Sequence, residues 1–334
     1  MGVGQNEGKC EMVKTRMSGQ NSVLLAIVGF GVLAGAAFIF VKVLVAELTP
    51  LQVVASRTMA GSIAVVGVML LTRTSLPKST AFVRGVLVLG VLDGVAPYLL
   101  VAHAQVHVTS ATAAILVSTM PLFTTLFAWW SLREQTMGPA TLAGIAAAFA
   151  GVTILAGPEA LDLRGDDTLA TLALLLAAAS YAAATVYARG LLSIATPLAL
   201  TGAKLTIAAA IVAPLALVID GTSNFATLSN EAWACLVVLG FGSTGLGRAV
   251  YVWAIGKAGS VKASLVTYIA PVVAIALGWA LLGETVELRT LGGAAMIVAG
   301  VGAAMFGRQI EAARRRVFDG RSPPWVSLNA RSAE

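Results

Sequence analysis

Two stretches of this chain follow one pattern at an offset of 150 residues, Thr109–Glu134 (TSATAAILVSTMPLFTTLFAWWSLRE) and Gly259–Glu284 (GSVKASLVTYIAPVVAIALGWALLGE). Ser110 falls on Ser260, Ala113 on Ala263, Pro121 on Pro271, Trp129 on Trp279, Leu132 on Leu282 and Glu134 on Glu284. Upstream, Gly90 answers Gly240 and Ala104 answers Ala254. Downstream, after a one-residue slip, Gly144 and Gly151 answer Gly293 and Gly300. The first helices of each half align at an offset of 147, setting Thr49-Pro50 against Thr196-Pro197, Lys42 against Arg189 and Arg57 against Lys204. An apolar half-protein that occurs twice is the sequence mark of a transporter built from internal repeats.

The solvent for such a fold is a bilayer. Hydrophobic residues make up 58% of the chain and charged residues 11%, less than half of the roughly 25% charged expected of a soluble domain. Windows of about 20 apolar residues, long enough to span, recur as Ser22–Ala46, Leu51–Leu71, Ala81–Ala104, Ser110–Leu132, Met137–Ala156, Leu169–Tyr187, Leu198–Ile219, Ala232–Trp253, Ala258–Leu282 and Leu288–Phe306. They are apolar all round, with no polar face at 3.6-residue spacing, which excludes a soluble helical protein. The expected fold is an all-α integral membrane protein with ten transmembrane helices. Residues 22–157 would form one five-helix repeat and residues 169–306 the second, joined by an extracytoplasmic linker at 158–168. Residues 1–21 and 307–334 would be polar tails, the second carrying Arg314-Arg315-Arg316.

The first apolar run is longer than a signal-peptide core and leads into a second spanning segment, so it is read as a retained helix. With the N-terminus in the cytoplasm, sixteen of the 22 Lys and Arg residues fall inside, among them Arg73, Lys78, Arg84 and Lys257. Only Arg164 and Arg289 fall outside. That asymmetry puts both termini in the cytoplasm of a cell (inner or plasma) membrane protein. Five crossings per half make the second repeat enter from the opposite side, so the repeats are inverted. The two cysteines, Cys10 and Cys235, suggest neither a disulfide nor a metal site.

With its paired segments Ser110–Glu134 and Ser260–Glu284, and a first helix pair that turns at Thr49-Pro50 with Arg57 seven residues on, the chain resembles the drug/metabolite transporter superfamily, specifically the EamA family of ten-helix transporters. The resemblance covers roughly Val23 to Gly307. It implies a central cavity between the halves, with helices 1–4 and 6–9 around it and helices 5 and 10 peripheral, and export as the direction. The expected function is secondary transport of small polar metabolites such as amino acids by alternating access. A passive facilitator or channel is the alternative, and an integral membrane enzyme acting on lipid intermediates a more distant one. Expected partners are a small-molecule substrate, membrane lipids and, left open, a second copy of the chain; no nucleic acid, cofactor or metal is expected.

Charges inside the bilayer point to the site, since each costs at least about 2.5–3.5 kcal/mol at mid-membrane. Asp93 is the one acidic residue deep in a segment, flanked by Gly90 and Gly94, small residues that let another helix approach. Arg57 lies at a depth that permits an Asp93–Arg57 pair, either a substrate or proton site or a structural lock between helices 2 and 3. Arg248 is a candidate to hold a substrate carboxylate, and with Asp93 could hold the two ends of a zwitterion. Lys204 mirrors Arg57 but is expected to snorkel, and Lys42 to anchor at the interface. Tyr98, Tyr181 and Tyr268 are expected on the cavity wall. Pro121 and Pro271 remove helical hydrogen bonds at mid-segment and offer hinges. Glu134 and Glu284 are expected to clamp the N-terminus of the following helix as structural carboxylates. The sequence Gly240-Phe-Gly-Ser-Thr-Gly245 fits a dinucleotide fingerprint, but lies in a spanning segment without the strand and acid that fingerprint needs; its glycines are read as packing positions.

Overall fold

The computed structural model describes residues 25–132, 139–156, 165–285 and 287–318, which are helical with no strand among them. In chain order the helices are α1 (Leu25–Leu44), α2 (Pro50–Leu71), α3 (Thr80–His107), α4 (Ser110–Val117 continuing as Met120–Leu132), α5 (Pro139–Ala156), α6 (Asp166–Leu191), α7 (Pro197–Ile219), α8 (Asn230–Ala258), α9 (260–282) and α10 (Leu288–Phe318). By length and composition α1, α2, α3, α4, α6, α7 and α8 could each cross a membrane. Shorter apolar helices Leu142–Leu155, Val266–Leu282 and Leu288–Ala303 lie within α5, α9 and α10. The last helix runs on to Phe318, so the basic tail begins as helix rather than as coil. Large apolar side chains such as Leu70, Leu71, Leu217, Val218 and Trp279 stand exposed on the perimeter. In water a belt of that extent is an aggregation surface; in a bilayer it is the solvent contact.

Local chemistry sets the helix starts. Thr49 Oγ1 accepts from the Gln52 backbone N–H at 3.1 Å while the Gln52 side chain accepts from Thr49 N–H at 3.2 Å, a capping box with Pro50 in the first turn. The repeated Thr196-Pro197 starts α7 the same way, Thr196 Oγ1 accepting from Ala199 N–H at 3.2 Å. Ser79 and Ser229, 150 residues apart, cap α3 and α8.

Packing follows the repeat. The helices α2 and α7, α4 and α9, and α5 and α10 each pack against their own counterpart. The contact of α2 with α8 is answered by that of α7 with α3. The contact of α4 with α6 is answered by that of α9 with α1, where a Cβ on Gly31 or Gly35 would press into Ile269 or Ala270. Glycines make these approaches possible. A Cβ on Gly94 would meet Ala208 of α7, and one on Gly245 would meet Ala64 of α2 at 3.0 Å. The fingerprint-like glycines Gly240 and Gly245 therefore serve as packing positions against α2.

The α5–α10 contact is tight on one face of α10. A Cβ on Gly300 would press into the Ala148 backbone and lie 2.6 Å from the Gly144 carbonyl, whereas one on Gly302 meets nothing within 4 Å. Gly300→Val should therefore destabilise the fold by about 1–3 kcal/mol through overpacking and lower the apparent melting temperature in detergent. Gly302→Val should leave it near wild type.

Two helices lose regular α geometry at equivalent places. In α3, Gly90–Val95 is a π turn, and Ala96 N–H donates to Val91 five residues back. In α8 the π segment is Val238–Gly247. Pro97 contributes to the first, because it cannot donate to the Asp93 carbonyl. The Leu92 carbonyl, left over by the shifted bond, accepts from Ser180 Oγ of α6 at 2.8 Å. The helices that carry Pro121 and Pro271 are also irregular, just ahead of each proline. The first helical stretch of α4 ends at Val117 and the second starts at Met120, beside Pro121; α9 is a 3-10 helix over Ser264–Tyr268, ahead of Pro271.

Candidate functional site

The π turn of α3 and the face of α7 that Gly90 and Gly94 admit bring three charges together. The Asp93 carboxylate accepts from Lys204 Nζ through one oxygen and from Arg248 Nη2 through the other. Asp93 is 6% exposed and Lys204 1%. The pairing differs from the one expected. Asp93 does not meet Arg57, because its flanking glycines seat α7 rather than α2. Lys204 does not snorkel, because its helix face turns inward to that carboxylate.

Arg57, also buried, points instead at α8, where Gly61 of α2 packs against Gly240 and Gly245. Its Nε donates to Thr244 Oγ1 at 3.1 Å, and its guanidinium lies 3.8 Å from the centre of the Tyr98 ring, a cation–π stack in a desolvated setting. Among the described residues this is the one hydrogen bond Arg57 makes, and no carboxylate pairs with it. The Arg248 guanidinium lies 4.9 Å from the Tyr181 ring centre and 5.4 Å from that of Tyr251. Its Nε is buried with no hydrogen-bond partner among the described residues. Tyr98 meets Tyr181 edge-on at 6.1 Å.

These groups surround a cavity of ≈ 80 Å³ between the halves. Its wall includes Arg57, Arg248, Tyr98, Tyr181 and Tyr251, the apolar Phe30 and Phe38, and the hydroxyls of Ser118, Ser243 and Thr267. Ser118 and Thr267 come from the irregular turns ahead of Pro121 and Pro271, so the prolines act on the cavity by shaping its wall. Asp93 and Lys204 stand behind that wall. No acidic side chain is among the described residues that line it.

Of the expected cavity tyrosines, Tyr98 and Tyr181 line it. Tyr268 does not; it is half-buried against the apolar cluster around Leu116 and Ile297. Tyr251 stacks on Phe30 at 4.9 Å and also lines the cavity. Lys42 bonds the end of a neighbouring helix. Its Nζ donates to the carbonyls of Gln105 (2.8 Å) and Val108 (2.9 Å), closing the C-terminus of α3.

Glu284 acts as a clamp, but on α4 rather than on the next helix. Its carboxylate accepts from Ser110 N–H (2.9 Å) and Ser110 Oγ (2.7 Å) at the start of α4. Glu134 lies outside the described residues. Glu47 does the same for α8, accepting from Ser229 N–H (2.8 Å) and Ser229 Oγ (2.6 Å), and these bonds hold its pKa below the ordinary carboxylate value. The stabilisation from Glu47 is therefore present at neutral pH and lost as pH falls through the lowered pKa; on so exposed a side chain it is small.

Comparison with known proteins agrees with this architecture. Residues 21–157 and 168–306 each match the model of the EamA-like transporter family. The chain is 23% identical over 279 residues to the uncharacterized transporter YoaV of Bacillus subtilis, covering 84% of this chain and 95% of that one. It is 28% identical over 268 residues to the uncharacterized inner membrane transporter YedA of Escherichia coli, covering 78% and 83%. An uncharacterized transporter of Archaeoglobus fulgidus is 26% identical over 271 residues. In fold the chain is similar to a protein of known crystal structure, with a TM-score of 0.62 over 86% of this chain and 96% of the other at 20% identity. With both halves matched to one family model and the apolar helices of a multi-pass membrane protein, this chain belongs to the EamA-like transporter family.

Proposed function

We propose that the protein is a secondary transporter of small polar metabolites, working by alternating access at the cavity between two inverted five-helix repeats. The observation that carries the reading is the cavity itself. Buried cationic, aromatic and hydroxyl groups converge on it from both halves, and helices irregular at matching positions frame it. Irregular backbone deep in a membrane is tolerated where it lines a cavity, and there it supplies polar groups and pivots. The reciprocal packing of α2 on α8 and α7 on α3 supports an exchange symmetry between the halves, which is what two alternately exposed states require. In this reading all ten helices cross the membrane, both termini are cytoplasmic, and export is the direction that the resemblance implies.

Two measurements test it. Reporter fusions or cysteine labelling should put both termini and the Arg73–Arg84 loop in the cytoplasm; an external C-terminus removes the ten-crossing topology. Purified protein in proteoliposomes, loaded with a metabolite panel with and without a proton gradient, should move at least one compound saturably and faster than empty liposomes. Flux indistinguishable from that of empty liposomes across the panel overturns the transport reading.

A further inference from the structure

Building on the transporter reading, we propose that the cavity takes a small organic anion. Its acidic group sits between Arg57, Arg248 and the Ser243 hydroxyl, at the place where the second repeat lacks the carboxylate that the first repeat provides. The repeat alignment identifies that place. At the offset of 150, Asp93 of α3 falls on Ser243 of α8 and Tyr98 falls on Arg248; at the offset of 147, Lys204 of α7 falls on Arg57 of α2. Lys204 crosses to α3 and finds Asp93. Arg57 makes the equivalent crossing to α8 and finds Thr244, with Ser243 beside it on the cavity wall. One half of the site thus has its cation neutralised by the protein, and the other half has a buried guanidinium without an anion.

Hydrogen-bond capacity agrees with this. A guanidinium has five N–H donors. Arg57 uses Nε on Thr244, and among the described residues no other acceptor takes the rest. Arg248 spends Nη2 on Asp93 and leaves Nε buried without a partner. Two guanidiniums with donors to spare, stacked on tyrosine rings beside an acid-free wall, match a carboxylate-sized anion. They offer nothing to the ammonium of a zwitterion, because Asp93 is taken by Lys204 and Arg248. The aromatic and apolar wall suits a substrate with a carbon body rather than a bare inorganic ion.

The test uses the full chain in detergent and in proteoliposomes, with lactate, succinate and phenylacetate, their amides, alanine, phenylalanine and propylamine as probes. Acids should bind and be transported; amides, zwitterions and the amine should not. Arg57→Gln should lower acid affinity about 10- to 100-fold, the effect of losing a charge-assisted bond. Ser243→Asp supplies the missing carboxylate, so without any ligand it should raise or preserve the apparent melting temperature, and it should abolish acid binding. Ser243→Asn, of equal size and uncharged, should retain clearly more acid binding than Ser243→Asp. The exposed control Ser193→Asp should change neither property. Transport of amides, zwitterions or the amine in preference to the acids overturns the anion assignment and leaves the transporter reading standing. A Ser243→Asp protein much less stable than Ser243→Asn also overturns it, since a carboxylate would then not fit beside Arg57. Absence of flux for every probe overturns both.

Discussion

Asp93→Asn should be the most damaging single substitution in this protein. The carboxylate is the one acidic group among the described residues that touches Lys204 and Arg248; it is buried with Lys204, and the Arg248 side chain is 11% exposed. Asparagine keeps the shape and removes the charge, leaving two uncompensated cations in low dielectric with Arg57 close by. Breaking a buried ion pair by removing one partner costs about 3–5 kcal/mol. The expected result is a strong fall in apparent melting temperature and in the yield of monodisperse protein. Lys204→Met alone should also destabilise, because it leaves the carboxylate half-paired. The double variant Asp93→Asn/Lys204→Met should recover a substantial part of the loss, because, of the two cations that Asp93 pairs, only Arg248 is then left without it. Residues in direct contact couple in such a cycle; additive losses would mean that the pair does not act as a unit.

The second large effect is at Tyr98. The ring is 3% exposed, carries the Arg57 guanidinium on its face and meets Tyr181 at its edge. Truncation to alanine removes a buried aromatic, worth about 3–5 kcal/mol, and releases Arg57 from its stacked position. Tyr98→Ala should therefore lower stability and lose transport together. Tyr98→Phe keeps the ring and the stack, so it should stay near wild type in melting temperature. Thermal unfolding in detergent followed by proteoliposome flux on the same preparations separates the two variants; equal loss in both would assign the role to the hydroxyl instead of the ring.

Much of the architecture was legible in the sequence because it rests on one-dimensional signals. Apolar runs mark the helices, Thr49-Pro50 and Thr196-Pro197 mark helix starts, and Gly90, Gly94, Gly240 and Gly245 mark close approaches. Pro121 and Pro271 mark the irregular turns. Charges within apolar segments were legible too, which is why Asp93, Arg57 and Arg248 stood out. Partner choice was not, because it depends on which way each residue points around its helix axis. A π turn adds about one residue to a turn and rotates everything after it by roughly 100°. The Gly90–Val95 turn does this to Tyr98, and Val238–Gly247 does it to Arg248 and Tyr251. The 3-10 stretch Ser264–Tyr268 rotates α9 in the opposite sense, and Tyr268 leaves the cavity face. Pro97, four residues after Asp93, was the available clue to the first distortion, and the glycine cluster before Arg248 to the second. The clamp by Glu284 was legible as chemistry but not as topology, since its partner Ser110 lies 174 residues away.

The most direct test of the central claim, that the cavity between the halves is the transport path, is accessibility from both sides. Ala34 of α1 lines the cavity, and cysteine is a small change there. In a Cys10→Ser/Cys235→Ser background, Ala34→Cys should react with a membrane-impermeant thiol reagent in right-side-out and in inverted vesicles alike. A compound that the protein transports should slow the reaction from both directions. Modification from one side alone, or at a rate that no transported compound alters, would contradict the claim.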